Sequence, residues 1–371
     1  MTKLDFEIPF SAFEQTNFIN CFASVYIYLE GLNDSRGVTP CAEWETGVCN
    51  NCKRCATKPQ ALQERIYFLF DTISGRSALR NRFDGSPSGS EVLINSPVDI
   101  TSCTYSRGGG SDDNIDFIFG FAGYDYTVVR NPDEYMSAVD SSLKAGRPVI
   151  ARLKGMNVDF CVITGVDDGY ILPCFKAAQA SPERAPTDND ISALYIPLGR
   201  IVPRYDFVDA LRRIERIMSR NLDEGLWDGC IEKIGLYQAD GLDGKPNEVV
   251  ESRIKRLCEI MWFTFNCHNF AEVFRSYESS RESDAAIYGD IGGIDRLRGK
   301  DYSELIKKIS SSYGYTHDLS WSVIYIADTL NLSHFASHYI GEMLELTLFR
   351  LKQNDIDTLE CIRELIKLLT R

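Results

Sequence analysis

Gln15 and Cys21 stand six residues apart at the head of a helix-patterned stretch, Gln15-Thr-Asn-Phe-Ile-Asn-Cys21. A thiol in the first turn of a helix feels the positive end of the macrodipole, which lowers its pKa. A glutamine amide on the loop before that helix can donate to an oxyanion beside the cysteine's own N–H. Those are two of the parts a cysteine acyl-transfer enzyme needs. The same segment is also readable as a helix cysteine beside a surface glutamine.

A second chemistry-bearing group is Cys41, Cys49, Cys52 and Cys55, four thiols within 15 residues. In a reducing compartment this density suggests a metal site, and four thiolates suit tetrahedral zinc or an iron–sulfur cluster. The alternative is a plain cysteine-rich loop. Lys53, Arg54, Lys58, Arg65, Arg76, Arg80 and Arg82 follow. They would offset thiolate charge or receive an anionic substrate, or they form solvated helix faces.

Elements must position these groups. Thr16–Glu30 carries an apolar helical face of Phe18, Cys21, Phe22, Val25, Tyr28 and Leu29. Gln60–Ser74 and Asn131–Ala145 read as further helices, the latter starting at Asn131 or Asp133. Pro148–Leu153, Asp159–Val166, Tyr170–Pro173 and Ala193–Pro197 read as strands. Asp84–Ser90 and Arg107–Asp113 read as flexible loops. After Pro203 the texture turns helical: Asp206–Asn221, Asn247–Glu278, Tyr302–Ser312, Trp321–Leu330, Ser333–Lys352 and Asp357–Leu369 all show helical spacing, with a capping-box-like start at Asp301 and Glu304.

The segment Ala145-Gly-Arg-Pro-Val-Ile-Ala151 leads into Asp159-Phe-Cys-Val-Ile-Thr-Gly-Val-Asp-Asp-Gly-Tyr-Ile171. Together with the Gln–Cys spacing, it resembles the papain-like double-glycine leader peptidases. It is still more similar to the N-terminal domain of the butirosin biosynthesis protein H family. The likeness covers roughly residues 10–175. It implies a papain-like α+β domain over 1–202, and the helical spacing after Pro203 makes 203–371 an all-α helical bundle. The likeness also implies Cys21 as nucleophile, Gln15 in the oxyanion hole, and acyl transfer from a thioester carrier to an amine.

At the family's histidine this chain has Asp159, and no histidine occurs in residues 1–267. A carboxylate is a poor base for a thiol and cannot return a proton to an amine leaving group at neutral pH. An ordinary Cys–His peptidase is therefore disfavoured. Two function classes follow. One is a degenerate papain-like domain that binds a small molecule, peptide or partner, with the helical half mediating association or homo-oligomers. The other is a Cys21-dependent acyltransferase served by an acyl carrier protein, with Asp159 in the site. A redox or metal sensor built on the cysteine cluster is a third. His334 and His338, one helical turn apart with Glu342 and Glu345 nearby, read as packing or a metal pair.

The chain has 371 residues and a net charge of -13, with Lys plus Arg at 40 against Asp plus Glu at 53. The acidic balance argues against a general nucleic-acid binder. The N-terminus is too acidic and broken for a signal peptide, and no apolar run is long enough to span a membrane. A cytoplasmic location with the 12 cysteines mostly reduced is expected.

Overall fold

The computed structural model describes residues 2–8, 18–32, 58–78, 112–154, 159–167, 170–174, 186–229, 231–232, 267–278, 288–298, 302–329 and 338–371. The fold is α+β, with mixed helices and an antiparallel sheet. The chain forms two compact units. One comprises Met1–Asp71, Asp99–Phe207 and Ser283–Asp295; the other comprises Thr72–Val98, Val208–Glu282 and Arg296–Arg371.

The first unit holds the sheet. Its elements are β1 (Thr2–Lys3), α1 (Phe18–Leu29), most of α2 (Lys58–Ser74), α3 (Asp112–Ala122), β2 (Tyr124–Val129), α4 (Tyr135–Lys144), β3 (Val149–Leu153), β4 (Phe160–Asp167), β5 (Tyr170–Cys174) and β6 (Ile191–Arg200). Each described pairing is antiparallel. β4 lies between β5 on one edge and β3, continued by β1, on the other; β6 and then β2 follow β3.

Side chains alternate across this sheet, so each strand feeds two cores. On one face α4 lays Tyr135, Val139 and Leu143 over Val149, Ala151, Leu153, Cys161, Ile163 and Leu194. On the other, α1 sets the Phe18 ring edge-on to Phe160 and Tyr195, at 5.7 and 5.8 Å between centroids. Phe22 of α1 meets Phe70 of α2 and Phe119 of α3, and Phe119 stacks flat on Tyr126 of β2 at 4.3 Å. The result is a sheet between one helix and a three-helix aromatic layer. Burying rings this large supplies most of the driving force for docking α1.

The expected strands are all present, their ends shifted by at most three residues; the one expected over Ala193–Pro197 extends to Ile191–Arg200. The expected helix from Asn131 divides instead into a short 3₁₀ turn, Pro132–Glu134, and α4. Asn131 Oδ1 accepts from the Asp133 N–H, and Pro132 supplies the fixed φ suited to a first helical position. Of the loop expected over Arg107–Asp113, residues 107–111 lie outside the described residues, and the last two begin α3 at Asp112. Acidic residues in a first helical turn complement the macrodipole, so these aspartates belong to a helix start rather than a loop. β1, the rest of α3 and β2 fall outside the expected elements.

The second unit's described elements are helical: α5 (Phe207–Asp223, whose first residue belongs to the other unit), α6 (Cys267–Arg275), α7 (Ser303–Thr329) and α8 (His338–Leu369). Two expected breaks are absent. α7 runs through Gly314, where a Cβ would sit 3.2 Å from the Arg275 guanidinium, so the missing side chain makes room for α6. α8 runs through Asn354 and Asp355 because both are used. Asn354 Nδ2 donates to Thr316 Oγ1 at 3.2 Å, and the buried Asp355 accepts from Trp227 Nε1 at 2.7 Å. On α5, Arg213 is 4% exposed and donates to the Ser74 carbonyl. The expected helical stretch over 247–266 and the Asp301 cap lie outside the described residues.

Candidate functional site

α1 is the element that carries Cys21, and its seating is well defined. Its C-terminal end closes with Gly31 at φ +61°, where the Gly31 N–H bonds the Tyr28 carbonyl and the Leu32 N–H bonds the Ile27 carbonyl. This is the paired-bond stop that needs a left-handed residue, which glycine adopts without strain. Glu30, the last residue before that stop, accepts from Tyr124 Oη of β2 and from Arg200 of β6. Burial, with the Glu30 hydrogen bond next, pushes the Tyr124 phenol up to about 12.

Cys21 is fully buried. It lies three residues after Phe18, on the helix face turned to β3 and β4. Its neighbours in sequence make a polar inclusion in the aromatic layer. Asn20, Ser24 and Gln63 are all fully buried. Gln63 Nε2, from α2, donates to Asn20 Oδ1 at 2.8 Å, and it contacts Ser24 Oγ at 3.2 Å and the Asn20 carbonyl at 3.4 Å. Gln63 Oε1 is buried with no hydrogen-bond partner among the described residues.

Asp159 sits immediately before β4 and is partly buried. Its carbonyl accepts from the Leu153 N–H at 2.7 Å, which extends the β3–β4 pairing one step beyond Arg152 and Phe160. Cross-strand partners share a face. Position 159 therefore falls with Leu153 on the α4 side of the sheet, while Phe160 and α1 occupy the other.

Gln15 lies outside the described residues, as do Cys41, Cys49, Cys52 and Cys55, and nothing structural is assigned to them. Among the described residues no group of three or more His, Cys, Asp and Glu side chains is placed to hold a metal ion. His334, and the His338 side chain, likewise lie outside them. No described helix is long and apolar enough to cross a membrane. The glutamine found against α1 is Gln63, which sequence reasoning passed over. The available signal was Asn20 and Ser24, two polar residues one turn apart inside an otherwise apolar helix.

No protein-family model matches the chain, and no curated protein is recognisably similar to it.

Proposed function

We propose that the first unit is a papain-like domain that has lost Cys–His hydrolysis and serves to bind a small molecule or peptide. Full burial of Cys21 is the observation that carries this reading. A nucleophile must meet its substrate, and this thiol has no exposed surface. Two further features support it. The residue aligned with the family's histidine is Asp159, and a carboxylate is a poor base for a thiol. The four histidines, His268, His317, His334 and His338, all belong to the second unit.

Residue-resolved alkylation of the native protein, purified without oxygen, tests this across pH ~5–9. Cys21 is expected to label slowly throughout, and as fast as the other cysteines only in denaturant. A thioester acyl donor is expected to leave Cys21 unmodified. Rapid native labelling, or an acyl adduct on Cys21, would replace the binding reading with the acyltransferase one.

A further inference from the structure

In the second unit, His268 of α6 and His317 of α7 bring their rings together across two helices. The centroids are 5.0 Å apart with planes inclined at 44°. The helices run antiparallel and are locked beside this pair. Phe270 stacks on Tyr313 at 4.2 Å, the Tyr313 hydroxyl reaches Met218 Sδ at 3.2 Å, and Ser310 Oγ bonds the Glu278 carboxylate further along.

His317 is oriented by its own neighbour. Its Nδ1 lies 3.0 Å from Asp318 Oδ1. An ionised carboxylate only accepts, so Nδ1 carries the proton and the neutral ring's lone pair resides on Nε2. That Nε2 atom is buried, whereas the Asp318 side chain is 78% exposed. The imidazole thus turns its coordinating nitrogen inward and its protonated nitrogen outward. A carboxylate behind a histidine in this way fixes the tautomer and raises the ligand's basicity.

The separation of the rings has a chemical meaning. With metal–nitrogen bonds of about 2.0–2.1 Å and a near-tetrahedral angle, two imidazoles on one ion place their centroids about 5 Å apart. We propose that His268 and His317 form a two-imidazole site for a borderline divalent transition-metal ion such as Zn²⁺. Asp318 acts as a positioning residue. Imidazole donors favour zinc, copper and nickel over the hard, oxygen-preferring magnesium and calcium. An ion held here would tie α6 to α7. The site is independent of the cysteine cluster and of the reading given to Cys21.

The chain has four histidines, so ¹³C-histidine labelling gives a small set of imidazole signals on the full-length protein. Single substitutions assign them, and Zn²⁺ is titrated in. The expected result is that the His268 and His317 signals move together and saturate in one step. Mg²⁺ at the same concentration leaves them in place. H317Q should abolish the His268 response, and H268Q the His317 response. D318N retains the fold and both rings and should weaken Zn²⁺ binding by at least about tenfold. Should a glutamine variant fail to fold, D318N and the wild-type titration still decide the matter. The proposal is overturned if neither signal moves, if they respond independently, or if D318N binds as the wild type does.

Discussion

The Phe18 ring of α1 meets the Phe160 ring of β4 edge-on, at 5.7 Å between centroids and 72° between planes. This contact fixes the helix that bears Cys21 against the strand preceded by Asp159. Because Phe160 points toward α1, the residue before it points away.

Phe18 and Phe160 are both fully buried, so replacing either by alanine removes a ring and leaves a cavity. The cost is expected at about 3–5 kcal/mol. Hydrogen exchange read by mass spectrometry is the suitable check, since a chain of two units need not unfold in one step. Phe160→Ala should sharply raise exchange in α1, β3 and β4, with the α7 and α8 amides unchanged.

Gln63→Leu strips the Asn20 side chain of a buried donor, with an expected loss of about 1–3 kcal/mol. Asn20→Leu should cost a similar amount. The double variant should lose less than the sum of the two, because an apolar pair leaves no unsatisfied group on either side. Denaturant melts of the four proteins give the coupling; strict additivity would mean that the hydrogen bond contributes nothing.

Tyr124 carries a pH signature. Its phenol is raised from 10.0 to about 12 by burial, with the Glu30 hydrogen bond adding to the rise and Arg200 opposing it. Below pH 10 the folded and unfolded states both hold the proton, and the full contribution is present. Between pH 10 and about 12 the unfolded chain releases its proton first, so stability falls as pH rises. The stability difference between wild type and Tyr124→Phe should therefore shrink across that interval and be constant below it. Chemical denaturation at a series of alkaline pH values measures the difference directly.

Trp227 Nε1 donates to Asp355 Oδ2 at 2.7 Å, and both residues are buried. Asp355→Leu deprives the indole of its acceptor and is expected to cost about 1–3 kcal/mol. Asp355→Asn keeps an acceptor oxygen of the same shape and should cost markedly less. Thermal melts of the two variants separate loss of the acceptor from loss of packing.

Local physics was legible in the sequence wherever a period was visible. The apolar spacing from Phe18 to Leu29 specifies a helix, and the short apolar run through Phe160–Val166, bounded by turn residues, reads as a strand buried on both faces. The α+β character and the placement of Cys21 on a helix followed from those patterns. Propensity read alone also overstated breaks: Gly314 and the Asn354–Asp355 pair look like helix ends, yet tertiary partners hold them within α7 and α8.

What the chain's order could not disclose is which distant residues share a face. Gln63 reaches Asn20 across 43 positions, and His317 meets His268 across 49. The face occupied by residue 159 depends on a pairing register, and a slip of one residue would reverse it. Periodicity is a property of neighbours in sequence and is set by backbone geometry. The meeting of two such faces is set by how whole elements pack, so it was decided only once the sheet and its helices had closed.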